Sequence, residues 1–374
     1  MLIVTVNSGS TSVKLSAFAS GDAAEAPRAV LRETHEGRAL EPEPLLRGFL
    51  ARLGASPGAL AHRVVHGGTR FTHPVRIDPE VEAALESLEE LAPLHNPVAL
   101  RWIRAARPLL PAGVPQVAAF DTAFFAGLPR LAAEYALPER AGVALGVRRY
   151  GFHGFAHAGM WQQWCERGGG GGRLITLQLG GGCSVAAIAD GHPLDTSMGF
   201  SPLEGLMMAT RSGDVDPAAL PYLTARLGIG MDGVLEILER ESGLLGVSGA
   251  SADMRALLAD PGAQARFAVE LFCYRARKCI GAYLAVLGGC DGIAFGGGIG
   301  EHAAEVRALI LAPLGWAGVR LDAAANAAAR GGAARISSPD SAVTVWVLAV
   351  DEESALAEAA RACLGPAHHQ GADR

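Results

Sequence analysis

Short apolar runs recur along the chain and alternate with segments of helical periodicity. The strand-like runs are Leu2–Val6, Ala61–Val65, Val117–Phe120, Leu174–Leu179, Val185–Ala189, Ile293–Phe295 and Val343–Ala349. Asp78 is expected to cap a helix that begins at Pro79 and runs to Leu91, and Pro261–Leu287 is expected to form a long buried helix. Because strands and helices alternate, the sequence predicts an α/β fold, with residues 20–47 at its periphery.

A polar turn separates the first apolar run from a second run that alternates. Asn7–Lys14 reads Asn-Ser-Gly-Ser-Thr-Ser-Val-Lys, and its small residues let backbone N–H groups converge on an anion. The hydroxyls of Ser10, Thr11 and Ser12 can donate hydrogen bonds, and the ammonium of Lys14 adds a positive charge. An ordinary Gly/Ser hairpin is the alternative. Strand, glycine turn and strand follow in the same order at Leu174–Ala189, which two similar lobes would explain.

A third glycine cluster, Gly296–Glu301, follows an apolar strand and enters a helical stretch. Bare backbone in this setting can lie against a base or a ribose. A plain strand-to-helix turn is the alternative reading. Three such clusters together favour a nucleotide site.

Two arginines lie where a charge needs a partner. Arg63 stands in an apolar run, and burying its guanidinium without an anion would cost several kcal/mol, so an anion is expected nearby. Arg211 lies among small residues and carboxylates, where it can either meet an anionic ligand or pair with Asp214 or Asp216. Both arginines are therefore candidates for binding an anion.

Two further polar residues are candidates for the same site. Asp121 ends the run Val117–Phe120, and α/β proteins bind ligands at the carboxyl ends of their strands. It would equally serve as the N-cap of the following turn. His153 is flanked by glycine and aromatic residues, where a structural role is the alternative.

Composition limits the class of protein. The 374 residues predict two domains. A net charge of -6 with scattered basic residues argues against a nucleic-acid partner. The six cysteines show no paired metal spacing and are typical of a reducing cytoplasm. Neither a leader peptide nor an apolar run of bilayer length is seen, so we expect no membrane association.

The motifs, taken in order, resemble the acetate kinase family, which belongs with sugar kinases, actin and heat-shock chaperone ATPases. The resemblance extends from Leu2 to about Leu356 and rests on Asn7–Ser12, His62–Gly68, Leu91–Pro97, Phe120–Phe124, Tyr150–Gly154, Pro202–Met208, Gly246–Gly249 and Gly298–Glu301. It implies two ribonuclease H-like lobes, each a mixed sheet flanked by helices, with the active site in a cleft between them. The first lobe would comprise residues 1–149 with a C-terminal helix at about 353–374, and the second lobe residues 150–352.

The resemblance also implies ligands and roles. We expect ATP or ADP, Mg²⁺ with Mn²⁺ as its alternative, acetate or another short-chain fatty acid, and a homodimer formed through the second lobe. Arg63, Asp121, His153 and Arg211 would be catalytic, and Arg63, Val65, Leu94, Phe152 and Pro202 would bind the substrate. Asn7, Asp121 and Glu352 would surround the metal. The nucleotide would contact Ser10, Ser12, Lys14, Gly180, Gly181, Gly182, Asp253, Met254, Arg255, Gly298, Ile299, Gly300, Glu301 and His302.

These roles suit a carboxylate acceptor. A carboxylate is already ionised at neutral pH, so it needs no general base, and repulsion between two anions is the obstacle instead. Two arginines, a histidine donor and Mg²⁺ would offset that repulsion. Asp121 is then better assigned to the metal, or to orienting an arginine, than to proton abstraction.

The chain departs from the family near its ligands. The family usually has Asn and Ser where this chain has Gly181 and Cys183, and His302 replaces an Asn. Thr-Ser-His after the Gly154 motif becomes Phe155-Ala156-His157, and Ala349–Glu353 only partly keeps an acidic motif. Alternatives are therefore a propionate or butyrate kinase, a kinase that acts on a hydroxyl group, and a catalytically impaired nucleotide-binding homologue.

Overall fold

Two compact units make up the chain. The computed structural model describes residues 1–9, 12–20, 27–37, 40–93, 95–169 and 171–365. Internal contacts group Met1–Ala126 with Asp351–Arg374 as unit 1, and Gly127–Val350 form unit 2. The lobe boundaries expected from the sequence, at 149/150 and 352/353, stay a prediction.

Unit 1 is built on one sheet with helices packed against it. Its strands are β1 (Leu2–Ser8), β2 (Ser12–Ala19), β3 (Arg28–Glu36), β4 (Ala59–Val64), β5 (Val75–Arg76) and β6 (Gln116–Phe120). Its helices are α1 (Pro42–Leu53), α2 (Pro79–Glu86), α3 (Asn96–Ala106) and the C-terminal helix (Glu352–Leu364), with 3₁₀ turns at Glu89–Leu91, Arg107–Leu109 and Asp121–Phe125.

Asp78 starts α2 as predicted, because its Oδ1 accepts a hydrogen bond from the Val81 N–H at 2.8 Å. The helix ends at Glu86 rather than at Leu91, and the 3₁₀ turn takes up the remainder.

The sheet of unit 1 is mixed and has the order β3-β2-β1-β4-β6-β5. β4 runs parallel to β1 and to β6, whereas the remaining pairs are antiparallel. The carboxyl ends of the three parallel strands therefore meet at one edge, with Asn7 near the end of β1, Arg63 near the end of β4 and Asp121 directly after β6. This edge is where ligands bind in open α/β sheets.

β3 falls inside the segment expected to be peripheral. It forms an outer strand of the sheet, with its residues exposed or only partly buried. An edge strand with little buried apolar surface gives a weak sequence signal.

Unit 2 has a second sheet. Its strands are β7 (Arg173–Leu179), β8 (Cys183–Ala189), β9 (His192–Thr196), β10 (Gly292–Gly296), β11 (Ala334–Arg335) and β12 (Thr344–Val347). Its helices are α4 (Arg130–Ala133), α5 (Gly154–Trp164), α6 (Ala219–Leu227), α7 (Met231–Glu236), α8 (Gly243–Ser248), α9 (Met254–Ala259), α10 (Ala263–Leu287), α11 (Gly297–His302), α12 (Ala304–Leu311) and α13 (Ala323–Ala328). Among the helices of the described ranges, none is long and apolar enough to cross a bilayer.

The second sheet repeats the plan of the first. Its order is β11-β12-β10-β7-β8-β9, with β10 parallel to β7 and β12 and the other pairs antiparallel. In each sheet an antiparallel meander of the first three strands is followed by two parallel strands and a short antiparallel edge. The predicted fold class, α/β with two mixed sheets flanked by helices, is confirmed.

A histidine lies inside the core of unit 1. His62 on β4 is 1% exposed, and its Nε2 is 2.7 Å from the Gln116 Oε1. Its Nδ1 has no hydrogen-bond partner among the described residues. A second proton would therefore place an unpaired N–H and a charge in the core, and burial lowers the pKa of His62 to about 4.

Acid is expected to destabilise the protein through His62. The unfolded chain takes up this proton near the ordinary pKa of 6.5 and the folded chain only near 4, so stability falls as the pH is lowered through that window. The loss attributable to His62 is about 3 kcal/mol between pH 7 and pH 4. Urea unfolding of His62→Gln should show a correspondingly weaker acid dependence. The exposed His73→Gln serves as the control, and equal acid dependence in both variants would contradict the expectation.

Candidate active site

A charged cluster lies at the strand edge of unit 1. The Arg63 guanidinium donates from Nε to the Asp121 Oδ1 at 2.8 Å and from Nη2 to Oδ2 at 2.5 Å. Its Nη1 donates to the Asn7 Oδ1 at 3.0 Å. The anion expected beside Arg63 is thus Asp121, and the bidentate contact fixes the plane of the guanidinium.

The C-terminal helix adds two carboxylates to this cluster. The Asn7 Nδ2 donates to the Glu352 Oε2 at 3.0 Å and to the Glu353 Oε1 at 2.8 Å. Both acids stand in the first turn of their helix, where the helix dipole favours negative charge. The Lys14 Nζ is 3.3 Å from the Glu353 Oε1, so this lysine is paired within the cluster. Its contact with a nucleotide stays a prediction.

Arg63 keeps its charge despite burial. Burial by itself lowers the pKa of a guanidinium, but the nearby Asp121 and Glu352 carboxylates outweigh this effect and raise the pKa of Arg63. Glu352 contributes from 3.9 Å. Arg63 is thus a fixed cation whose charge is largely neutralised by its neighbours.

Arg211 of unit 2 has a different environment. Its Nη1 donates to the Pro202 backbone oxygen at 2.9 Å and is 3.7 Å from the Met208 Sδ, and no ion pair of Arg211 is found among the described residues. Asp214 and Asp216, the salt-bridge partners that the sequence left open, instead accept backbone N–H groups at 2.7 and 2.9 Å. Burial lowers the pKa of Arg211 from its ordinary value. The Arg211 guanidinium is therefore a partly buried cation with no carboxylate at ion-pair distance among the described residues, and Glu239 acts on it only from farther away.

His153 lies beside Arg211. It is the N-cap residue of α5 and adopts a left-handed backbone conformation, with φ 59° and ψ 33°. A Cβ added to Gly182 would stand 3.2 Å from the His153 Nε2 and 3.6 Å from the Arg211 Nη1. A side chain at residue 182 would crowd the His153 ring, so glycine suits this position, and Gly182, His153 and Arg211 lie together in one corner of unit 2.

A buried polar chain stands behind His153. The His153 Nδ1 is 2.8 Å from the Ser184 Oγ, which is also 2.7 Å from the His157 Nε2. The His157 Nδ1 is 2.7 Å from the Thr176 Oγ1. Sequence reasoning named His157 only within the altered motif Phe155–His157, in which the histidine is retained, and missed the serine and the threonine.

A cavity of about 670 Å³ opens next to the glycine turn of unit 2. It is lined by eight of the residues predicted to bind the nucleotide, namely Gly180, Gly181, Asp253, Met254, Arg255, Gly298, Ile299 and His302, together with Ala209, Ala252, Leu258, Ala303 and Arg330. The lining combines apolar side chains, bare glycine backbone and three basic residues. This combination suits a flat base linked to phosphates.

Several residues predicted to bind the nucleotide do not line this cavity. Gly300 is buried in α11, and the Glu301 Oε1 accepts the N–H groups of Gly297 at 3.1 Å and Val350 at 3.3 Å. Ser12 closes the first hairpin, because its backbone oxygen accepts the Gly9 N–H at 2.8 Å. Ser10 lies outside the described residues, and contacts of all these residues with a nucleotide stay predictions.

Gly181 and Cys183, which replace the Asn and Ser usual in the family, have different surroundings. A side chain at Gly181 would meet nothing within 4 Å, so the glycine leaves open space in the cavity wall. The Cys183 thiol points inward, donates to the Gly180 oxygen at 3.3 Å, and has a pKa raised to about 12 by burial. Cys183 therefore takes the inward, hydrogen-bonding role that a serine would have, and the loss of a polar group concerns Gly181.

Arg307 was missed by sequence reasoning. It is 0% exposed and donates to the backbone oxygens of Gly300 at 2.8 Å and Glu301 at 3.0 Å. Burial lowers its pKa to about 10. This arginine ties the end of α11 to the body of unit 2, and the only signal for it was a charge inside the apolar pattern of α12.

The residues predicted to form an acyl pocket come from separate parts of the chain. Val65 is buried in unit 1, whereas Phe152 is buried and Pro202 partly buried in unit 2. Leu94 lies outside the described residues. The pocket stays a prediction.

Comparisons with known proteins agree with one another. The profile described as the Acetokinase family matches residues 49–358. The acetate kinase of Solibacter usitatus is 45% identical over 322 residues, which cover 83% of this chain and 77% of that protein. The crystal structure of Porphyromonas gingivalis acetate kinase superposes with a TM-score of 0.87 at 36% identity and covers 97% of this chain and 99% of that one. A propionate kinase from Francisella tularensis gives 0.86 at 32% identity, with 96% and 98% covered.

The Arg63–Asp121 pair is expected to be strongly coupled in stability. Replacing either residue by alanine removes the main partner of a largely buried charge, at a cost of about 3–5 kcal/mol, whereas the double variant should lose much less than the sum. Urea unfolding of the two single variants and the double variant measures the coupling. The Arg70–Glu80 pair, 2.8 Å apart with side chains 55% and 82% exposed, is the surface control and should couple by less than about 1 kcal/mol. Equal coupling in the two cycles would contradict burial as the cause.

Proposed function

Because the chain belongs to the acetokinase family, we propose that it transfers a phosphoryl group reversibly between ATP and acetate, giving ADP and acetyl phosphate by direct in-line transfer. Family membership confirms the resemblance seen in the sequence and the predicted class of enzyme, a kinase whose acceptor is a carboxylate. Family membership also implies use of ATP and ADP. The reaction on acetate is the function that the relatives' names support best.

The observation that carries the proposal is the environment of Arg211. A carboxylate and a phosphate must approach within a few Å, and their like charges oppose this. A partly buried guanidinium that has no ion-pair partner among the described residues lowers that barrier, because its charge remains available to the reactants. Together with the His153 ring beside Gly182, it would stabilise charge on the oxygens of the transferring phosphoryl.

Arg63 and Asp121 have a different part in the proposal. Both oxygens of Asp121 accept hydrogen bonds from Arg63, which favours orientation of the arginine as the main duty of this aspartate. Proton abstraction is not needed, because the acceptor is ionised at neutral pH. Arg63 would then present its remaining N–H groups to the substrate in a fixed geometry.

Asn7, Asp121 and Glu352 would bind the metal ion. Their side chains offer the oxygen ligands that Mg²⁺ or Mn²⁺ prefers. Within the described ranges no group of three or more His, Cys, Asp or Glu residues is arranged to hold a metal by itself. Mg²⁺ usually binds through one or two carboxylates together with phosphates and water, so this partial set fits. When bound, the ion would neutralise charge on the phosphates.

The nucleotide would occupy the cavity of unit 2. Its glycine backbone at Gly180 and Gly298 can approach phosphates, and His302 and Arg330 line the same cavity. Arg255 lines it as well, in an ion pair with Asp253 at 2.7 Å. Gly181 offers no side chain to a nucleotide where the resemblance implies an Asn, so we expect nucleotide affinity to be the property most affected by this departure.

The homodimer and the cytoplasmic location are also proposals. In unit 2 an apolar groove of about 440 Å³ is lined by residues that include Phe267, Tyr274 and Leu309, which are 50%, 52% and 38% exposed. Such a patch is typical of a surface that a second copy covers.

All six cysteines are thiols, in keeping with a reducing compartment.

A propionate or butyrate kinase is the second candidate. The propionate kinase with a TM-score of 0.86 supports it, and one methylene in an apolar pocket changes binding by only about 1–3 kcal/mol. Residues near the acyl group therefore decide between acids of adjacent chain length only weakly.

Purified protein with ATP, Mg²⁺ and hydroxylamine should form a hydroxamate from acetate, because an acyl phosphate is trapped by this nucleophile. We expect kcat/KM for acetate to exceed that for butyrate by about 10-fold or more. Higher values for propionate or butyrate would support the second candidate. Binding of ATP without hydroxamate from any of the three acids would contradict a kinase and favour the impaired homologue, and transfer to a sugar hydroxyl would contradict a carboxylate acceptor.

Arg211→Ala is expected to lower kcat by about 10³-fold or more, by analogy with arginines that stabilise phosphoryl transfer. Arg211→Lys should recover only part of the loss, since lysine keeps the charge but not the planar array of donors. Arg226→Ala, at an exposed position of the same unit, is the matched control. Circular dichroism verifies folding. A folded Arg211→Ala variant with near wild-type kcat would refute the assigned role.

A further inference from the structure

Four polar side chains of unit 2 form a hydrogen-bonded chain that ends at His153. They come from three elements, with Thr176 on β7, His157 on α5 and Ser184 on β8. Thr176, His157 and Ser184 are each 0% exposed, and the successive contacts measure 2.7, 2.7 and 2.8 Å. Because the contacts are short and these three side chains are buried, we expect the hydroxyl hydrogens of Thr176 and Ser184 to point to partners within the chain.

The direction of the chain follows from Thr176. Among the described residues, the polar partner of its hydroxyl is the His157 Nδ1. A buried hydroxyl whose hydrogen lacks an acceptor costs about 1–3 kcal/mol in general, so the threonine donates its hydrogen to Nδ1. The His157 Nδ1 must then be the unprotonated nitrogen of that ring.

His157 transmits this direction to Ser184. Burial lowers the pKa of His157 well below its ordinary value, so the ring is neutral and carries its single proton on Nε2. That proton is donated to the Ser184 Oγ at 2.7 Å. The described polar partners of the serine hydroxyl are the two histidines, so its own hydrogen is directed to the His153 Nδ1.

We propose that Thr176, His157 and Ser184 are positioning residues that hold His153 as the neutral tautomer protonated at Nε2, so that it donates a hydrogen bond to the transferring phosphoryl. Nε2 is the ring atom nearest to Gly182, beside the Arg211 guanidinium. The other neutral tautomer would present a lone pair to an anion there and repel it. This inference rests on the proposed function for the role of His153, whereas the tautomer itself is a property of the protein without substrate.

The chain also disfavours a second proton on His153. A proton on Nδ1 would face Ser184, whose hydroxyl would then have no acceptor among its described partners. Neutral, correctly oriented imidazole is therefore the state that this arrangement favours, much as outer hydrogen bonds fix the tautomer of metal-binding histidines.

The tautomers can be measured directly on the unliganded wild-type protein. Selective ¹⁵N labelling of the 11 histidines, followed by long-range ¹H–¹⁵N correlation spectra at neutral pH, distinguishes protonated from unprotonated ring nitrogens. His153→Gln and His157→Gln variants identify the two rings by loss of signal. We expect both rings to be protonated at Nε2 and unprotonated at Nδ1. Protonation of either ring at Nδ1 would overturn the inference, whatever the activity of the protein.

Steady-state kinetics provide a second test of the positioning role. Ser184→Ala should lower kcat about 10-fold or more while KM for ATP and for acetate stays within about twofold, because the loss concerns orientation of a donor rather than binding. Ser197→Ala is the matched control, since it removes a buried serine hydroxyl that accepts the Val185 N–H at 2.9 Å in the same unit. A folded Ser184→Ala variant with wild-type kcat would overturn the positioning role. Absence of activity in the wild type would instead contradict the proposed function and leave the spectroscopic test decisive.

Discussion

The partly buried guanidinium of Arg211 is the constraint on which the site of unit 2 depends. Its hydrogen-bond acceptors among the described residues are a backbone oxygen and a sulfur atom. Burying a charge in this way is unfavourable unless something offsets it. Arg63 shows the alternative solution, since Asp121 neutralises it and fixes its plane. One arginine is thus held rigidly by its partner, and the other retains the capacity to attract an anion. The fold thus gives two arginines different electrostatic environments, one neutralised by a carboxylate and one able to attract an anion.

The two sheets explain how such groups come to the ends of strands. Each sheet has parallel strands at its centre, β1, β4 and β6 in unit 1 and β7, β10 and β12 in unit 2. The central strands of the two sheets could be predicted because each is covered on both faces of its sheet and is therefore a continuous apolar run in the sequence. The edge strands β3, β5, β9 and β11 could not, because they are half-exposed or only two residues long and leave no periodic pattern.

The residues of the candidate site could be predicted from the sequence, but their hydrogen bonds and ion pairs could not. Glycine clusters and isolated charges indicated an anion site, and the resemblance supplied the roles. The spacing of Arg211 from Asp214 and Asp216 permitted a salt bridge, yet these carboxylates are taken by backbone N–H groups of their own loop. The chain from Thr176 to His153 joins residues of two strands and a helix, so it exists only once the sheet has formed. In the sequence, Thr176 is merely a polar position inside an apolar run.

The contact between Asn7 and the C-terminal helix has a consequence for the order of assembly. Asn7 belongs to the first strand, whereas Glu352 and Glu353, which hold its amide, are separated from it by 345 and 346 positions. A ribosome therefore finishes all of Gly127–Val350 before it makes the helix that completes unit 1. Until that last segment emerges, the charged cluster on the amino-terminal strands is incomplete. A translation product truncated before this helix would therefore lack the Glu352 and Glu353 carboxylates even though every strand of both sheets had been synthesised.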